Sequence, residues 1–247
     1  VDELAKNSLT HEFNAGHSQV SCSKCTLGEL CLPRSLNTRE VERFEQIVNR
    51  SRPIRSGEHI FRAGDEFRWV ASVRAGCFKS YVIDREGQEQ VLGFYLPGEI
   101  IGLDAIHTAT HTANFVALDT SAICSLSFES VASMARQMPS LQNELFRIMS
   151  QRIAVLEAIA GDLNADERIA LFLLSLSERY GRRGYSEKEF NLAMSRREIA
   201  SFLRLAAETV SRVLARLQKS GVLDVERKRV RILDMNELKK LAHQPLD

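Results

Sequence analysis

Three cysteines, Cys22, Cys25 and Cys31, stand in the spacing C-x2-C-x5-C near the start of the chain. A C-x2-C pair lets two sulfurs converge on one metal centre, and zinc and iron–sulfur centres both accept thiolates. Five cysteines occur in all, so they cannot all pair with one another as disulfides. No basic start followed by an apolar run and a small-residue cleavage site precedes the three, and no uninterrupted apolar stretch is long enough to span a bilayer. The expected compartment is therefore the reducing cytosol, where clustered thiols hold a soft metal or do redox chemistry more often than they form bridges.

A tetrahedral zinc and a [4Fe–4S] cube each take four ligands, so one more is needed. His11 and His17 are the rivals within the N-terminal segment, and Cys77 and Cys124 are the rivals downstream. Both downstream cysteines lie in segments whose alternation of apolar and β-forming residues reads as strand, and a lone strand cysteine is ordinarily a small buried hydrophobe. Spacing alone leaves the choice open.

The elements that must position these thiols follow from the rest of the sequence. Residues are 44% hydrophobic and 26% charged, ordinary values for a globular protein with one large or two small cores. The net charge of +1 hides an asymmetry: from Ala165 onward there are 17 basic against 12 acidic residues, leaving 16 against 20 before it. A basic end on a near-neutral chain favours a polyanionic partner for that end only. A short helix is expected after Asn37 or Thr38, with Val41, Phe44, Ile47 and Val48 on one face. From Ile54 to about Phe128 short apolar runs are broken by Gly57, Gly64, Gly76, Gly87, Gly93, Gly98 and Gly102, which predicts a small antiparallel barrel or roll. After Pro139 the period becomes helical. Phe146, Met149, Ile153, Leu156, Ala160 and Leu163 recur with gaps of three and four, the seam of a two-stranded coiled coil.

The last segment opens with a helix-forming run from Ala165. Ser195 and Glu198 have capping-box spacing ahead of a helix with Ile199, Ala200 and Leu203 on its inner face. A second helix starts at Ala206 or Ala207, buries Val210, Val213, Leu214 and Leu217, and stops at Gly221. Two strands, at 223–225 and 230–233, follow around Arg227, Lys228 and Arg229, so the expected unit is a winged helix-turn-helix. Glu208, Ser211 and Arg212 share the outer face of the second helix. Arg212 can grip guanine bidentately, Glu208 can accept from cytosine, and Ser211 can bond a base or a phosphate. Arg196, Arg197, Arg216, Lys219, Arg227, Lys228 and Arg229 would neutralise phosphates. Such readers commonly bind paired half-sites as two-fold homodimers.

With Cys-Ser-Lys-Cys-Thr-Leu-Gly-Glu-Leu-Cys at 22–31 and Glu-Thr-Val-Ser-Arg at 208–212, nearly the whole chain resembles the oxygen-sensing FNR branch of the cyclic-AMP receptor protein family. The resemblance implies an α+β fold: a cysteine-rich segment (1–35), a β-roll sensor of the cyclic-nucleotide-binding, cupin-like type (36–138), a dimerisation helix (139–164) and a winged DNA-binding domain (165–247). It implies Cys124 as the fourth ligand of an oxygen-labile [4Fe–4S] cluster, with Cys77 at a non-ligand position and Leu30 and Thr26 shielding the cluster or tuning its stability. By the same resemblance, Glu208, Ser211 and Arg212 read TTGAT-type half-sites, and a loop with Ile83, Gly87, Gln88 and Glu89 touches RNA polymerase. The intact cluster would favour the dimer in the absence of oxygen, and the chain would activate or repress genes of anaerobic metabolism.

The arginine–serine pair with which relatives bind a cyclic nucleotide is missing from Ile101-Gly-Leu-Asp-Ala-Ile and His111-Thr-Ala-Asn-Phe, so no cyclic nucleotide is expected. Arg204 replaces the usual glycine of the turn. Two other readings stay open: a zinc-stabilised regulator of the same fold and an iron–sulfur electron-transfer protein. The second lacks any flavin, nicotinamide or second-cluster motif and leaves the DNA reader unexplained.

Overall fold

The computed structural model describes residues 21–243; His11 and His17 lie outside them. Asn37 caps the first helix, α1 (Thr38–Glu45), through a complete capping box with Glu40. Val41 and Phe44 fall on α1, but Ile47 lies beyond it and Val48 opens a strand, β1 (Val48–Arg50). The helical spacing of the four apolar residues thus runs past the helix end, because Val48 pairs with Leu126 in a sheet.

Two antiparallel sheets make the roll. One has the order β1, β8 (Ala122–Ser127), β3 (Trp69–Ala75) and β6 (Ile100–Ile101); the other has β2 (His59–Phe61), β7 (Asn114–Ala117), β4 (Phe78–Ile83) and β5 (Glu89–Tyr95). Side chains alternate across a strand. Ala71, Val73 and Ile123 accordingly face the second sheet, in a core with Phe61, Phe78 and Phe115. Val70 and Leu126 face the other way, onto Leu32, Phe44, Val131, Met138 and Leu141. The last three residues belong to α2 (Phe128–Gln137), α3 (Pro139–Ala160) and the junction between them; α2 is a helix that the strand-like reading up to Phe128 did not foresee.

Phe146, Ile153 and Leu156 on α3 are 54%, 56% and 47% exposed, so they form an apolar stripe that nothing among the described residues covers fully. Leu163, counted on that seam from the sequence, is off the helix: Gly161 ends α3, and Asn164 caps α4 (Ala165–Gly181) with a capping box to Glu167. Beyond α4 come β9 (Glu189–Asn191), α5 (Arg196–Leu203), α6 (Ala207–Lys219), β10 (Leu223–Glu226), β11 (Arg229–Ile232) and α7 (Met235–Leu241), with a three-stranded sheet in the order β10, β11, β9. Ser195 and Glu198 form the expected capping box, and the expected inner faces of α5 and α6 are buried. The third strand β9 and the closing helix α7 are additions to the sequence reading.

Arg204 caps α5 in the left-handed region, φ 55° and ψ 47°. A side chain there costs on the order of 1 kcal/mol, part of which glycine returns through its freedom in the unfolded chain. Arg204→Gly should therefore raise unfolding free energy by up to about 1 kcal/mol, read as a higher urea midpoint with an unchanged slope. No helix among the described residues is long and apolar enough to cross a membrane.

The roll and the reader share a joint. Ser201 on α5 donates to the Glu89 carbonyl at 2.8 Å and accepts from the Val91 N–H at 2.9 Å, while the Gln90 amide donates to the Ser201 carbonyl at 2.7 Å. Helix α5 thereby covers β5, an edge strand whose unpaired backbone groups would otherwise face solvent. Buried Lys79 pairs with Glu89 at 2.5 Å and with Glu198 of α5 at 3.0 Å. Glu99 accepts from Arg179 at 2.7 and 2.9 Å and from Arg183 at 2.7 Å, so an arginine of α4 and one just beyond its end close on one carboxylate of the roll.

Candidate metal centre and nucleic-acid interface

The cysteine segment is built from tight turns. Short 3-10 turns at Cys22–Lys24 and Leu32–Ser35 bracket it, and the Cys31 N–H donates to the Leu27 carbonyl at 3.0 Å. Gly28 allows the curl, since a Cβ there would sit 3.3 Å from the Cys25 carbonyl oxygen. Leu30 lies against Gly98, where a Cβ would come within 2.7 Å of the Leu30 Cβ. Thr26 is exposed. The segment thus rests on the turn that leads directly to Glu99.

Strand parity then selects a cysteine in the roll. Cys124 is two residues from Leu126 on β8 and so shares its outward face, the face against which Cys22 and Cys31 pack. Its partners across the ladder are Ser72 on β3 and Arg50 on β1. The Cys31 thiol donates to the Ser72 hydroxyl at 3.1 Å, which brings Cys31 beside the residue directly opposite Cys124. Cys77 is 2% exposed and packs in the other cluster, with Phe94 and Phe172.

Electrostatics agree with this grouping. Burial pushes the Cys22 thiol up to about 11, helped by the charges of Glu45 and Cys124 and opposed by Arg50. Burial pushes Cys31 up to about 12, against the Ser72 hydrogen bond and with Cys124 adding to the rise. Cys124 is also raised by burial, with Arg74 and Arg50 opposing and Cys25 contributing. Cys22 therefore feels the charge of Cys124, Cys31 feels both, and Cys25 acts on Cys22 and Cys124, and a metal would have to displace protons from them. Cys77 is raised to about 12 chiefly by burial, with charges of the Arg179 and Glu99 region as its neighbours.

Among the described residues, no three His, Cys, Asp or Glu side chains converge closely enough to hold a single metal ion. Four thiolates on one zinc would stand about 3.8 Å apart, given Zn–S bonds of about 2.3 Å in a tetrahedron. A cube places each thiolate on a different iron and spreads them further. Cys22, Cys31 and Cys124 share one face of the first sheet, and thiolates suit either centre.

At the other end, Glu208, Ser211 and Arg212 are all exposed on α6. The Ser211 hydroxyl donates back to the Ala207 carbonyl at 3.0 Å, and Arg212 reaches the Thr209 hydroxyl at 3.3 Å. Arg197, Lys219, Arg227 and Lys228 are exposed as expected. Three of the expected phosphate cations are less available. Arg196 is half-buried, donates to the Arg227 carbonyl at 3.5 Å and keeps one guanidinium nitrogen buried without a hydrogen bond. Arg216 pairs with Asp166, and Arg229 pairs with Glu226 at 2.7 Å.

The loop expected to touch a polymerase is the β4–β5 hairpin tip. The Asp84 carboxylate accepts from the N–H groups of Glu86 and Gln88, and Gly87 turns the chain at φ 79°. Ile83 is 54% exposed, whereas Glu89 is engaged by Lys79 at the joint. The joint itself was absent from the sequence reading, which gave Glu89 and Glu198 other roles. Arg179 lies on α4 and Arg183 in the turn just after it, and their shared partner lies 80 and more residues away.

A β-roll joined through a long helix to a winged helix-turn-helix defines a DNA-binding transcriptional regulator. A model of the Crp-like helix-turn-helix domain matches residues 167–241, and one of the cyclic nucleotide-binding domain matches 51–138. The chain is 43% identical to transcriptional activator protein anr of Pseudomonas aeruginosa, over 93% of this chain and 95% of that one. It is 36% identical to the fumarate and nitrate reduction regulatory protein of Escherichia coli, over 97% of each. The structure of FixK2 from Bradyrhizobium japonicum superposes with a TM-score of 0.72 at 24% identity, covering 81% of this chain and 99% of that one. The chain belongs to the CRP/FNR family of transcriptional regulators, whose members are not enzymes.

Proposed function

We propose that this regulator responds to oxygen through a [4Fe–4S] cluster held by Cys22, Cys25, Cys31 and Cys124. The observation that carries the reading is the shared face of the first sheet, where Cys31 bonds the residue opposite Cys124 and Cys22 packs beside it. When bound, such a cluster supplies a redox-active, oxygen-labile crosslink between the N-terminal segment and the roll. The rest of the work belongs to the chain. Cys22, Cys25 and Cys31 tie the segment to β8, Leu30 presses on Gly98, and α3 runs from the same apolar layer with its stripe of Phe146, Met149, Ile153 and Leu156 presented to a second copy. A homodimer along α3 would align two copies of α6 with paired TTGAT-type half-sites, and loss of the crosslink would shift the population toward a form that cannot span them.

Glu208, Ser211 and Arg212 would read bases, and Arg197, Lys219, Arg227 and Lys228 would hold phosphates from the start. Arg196, Arg216 and Arg229 would join only by leaving their present partners. Arg212→Ala should cost about 1–3 kcal/mol at one base pair and relax sequence preference there, whereas Lys219→Ala should weaken all sequences alike and flatten the salt dependence. Competition binding with singly mutated half-sites at two salt concentrations separates the two outcomes.

The exposed hairpin tip with Ile83, Gly87 and Gln88 suits a polymerase contact, and target genes of anaerobic metabolism would be activated or repressed from cytoplasmic DNA. No cyclic nucleotide is required. Support comes from the roll's interior: His111 is 2% exposed, bonds Asp104 at 3.2 Å and stacks on Phe61 at 3.9 Å, where a phosphate would need cations. Sedimentation and gel retardation without oxygen and then in air test the whole reading. A dimer that binds an inverted repeat and falls apart in air supports it, and equal binding in both states removes it.

A further inference from the structure

Ser72 is 3% exposed on the outward face of β3, between Val70 and Arg74. A buried hydroxyl is costly unless it is hydrogen-bonded, and its partner here is the Cys31 sulfur at 3.1 Å. Its partner across the ladder is Cys124. One buried hydroxyl thus stands between two cysteines that reach the site from opposite ends of the roll sequence.

In the thiol form the Cys31 S–H donates to the Ser72 oxygen. A thiolate has no proton to give, so when Cys31 serves as a ligand the hydroxyl must turn and donate its own O–H to the sulfur. Hydrogen bonds to ligand sulfurs set the reduction potential of an iron–sulfur centre, and a donor shifts it upward by withdrawing charge from the thiolate. A centre with a higher potential gives up an electron to dioxygen less readily, the electron leaving as superoxide.

We propose that Ser72 is a positioning residue for the cluster, orienting Cys31 and slowing loss of the cluster in air by donating to its sulfur. The inference rests on the ligand set proposed above. The test uses the full chain with Ser72→Ala and Ser72→Thr, purified without oxygen. Iron content, midpoint potential and the bleaching rate after admission of air are measured, together with alkylation of Cys31 in the iron-free chain and thermal unfolding.

The expected result is equal iron and equal unfolding in all three proteins, with Ser72→Ala lower in potential and bleaching about three- to tenfold faster, the factor for losing one hydrogen bond of ordinary net strength. Ser72→Thr keeps the hydroxyl and should return both values to within about twofold of the parent, well inside that factor. In the iron-free chain, Cys31 of Ser72→Ala should be alkylated more slowly, since its thiolate loses the O–H that would stabilise it, a readout that needs no cluster. Parent and Ser72→Ala chains with the same potential and bleaching rate would overturn the role of Ser72 while leaving the ligand set intact. A parent chain that binds no iron would overturn both.

Discussion

Cys124→Ala should purify without stoichiometric iron and bind an inverted-repeat site about 5- to 150-fold more weakly than the parent in the absence of oxygen, the usual range for losing one coupling free energy. Cys77→Ala should keep both properties. The contrast follows from where each thiol packs, Cys124 on β8 and Cys77 just before β4, and not from cysteine chemistry, because both thiols are raised in pKa by burial. Cys124 shares the outward face with Leu126 beneath the N-terminal segment; Cys77 packs among Phe94 and Phe172 at the joint with the reader. Removing the Cys124 sulfur leaves β8 paired on both sides, so the fold survives and circular dichroism should be unchanged. Truncating Cys77, which is 2% exposed, leaves a small void and should lower stability by about 1 kcal/mol with no effect on iron. Iron analysis and anaerobic gel retardation on the two variants decide the matter; full iron in Cys124→Ala would overturn the ligand set.

Glu99→Gln should destabilise the chain by about 2–4 kcal/mol at neutral pH, because it strands two arginines packed around one carboxylate. Arg179 and Arg183 are 22% and 4% exposed at their side chains, and among the described residues neither pairs with another carboxylate. Burial alone would raise the Glu99 pKa; Arg179, through charge and hydrogen bonds, and then Arg183 outweigh it and hold the group below 4.5. A carboxyl whose folded pKa is depressed contributes its full stabilisation above its unfolded pKa, here about 4.5, and loses it as pH falls through the lower folded value. The gap between parent and Glu99→Gln should therefore be widest at pH 7 and narrow below pH about 4.5, as glutamate takes up its proton. Urea unfolding of both proteins at pH 7 and pH 4 reads this directly, and a gap that does not narrow would show that Glu99 acts by packing and not by charge. Arg179→Lys should recover little, since an ammonium cannot span both carboxylate oxygens and the Phe94 carbonyl.

The winged reader was legible in the sequence because its signals are local. Ser195 and Glu198 announce α5 within three residues, and the buried positions of α6 repeat at helical spacing. The same reliance on spacing misplaced Ile47 and Val48, which continue a helical pattern but lie past Gln46, and Leu163, which continues a heptad past Gly161. In the second case the stop signal was present, as Gly161 and the box from Asn164 to Glu167. The thiol cluster was legible only in part. The motif at 22–31 suggested three ligands, but the proposed fourth came from a resemblance, since nothing in a sequence says which face of a strand a distant loop will cover. Ser72, Glu99 and the Ser201 joint were beyond reach for the same reason: their partners lie 41 to 112 residues away.

Cofactor identity is tested most directly by the absorbance of protein purified without oxygen, followed as air is admitted, with iron and zinc counted on the same sample. A brown chromophore with about four irons per chain that bleaches in air is the predicted result. Colourless protein with one zinc per chain would contradict it, leaving the DNA reader in place and removing the oxygen sensor.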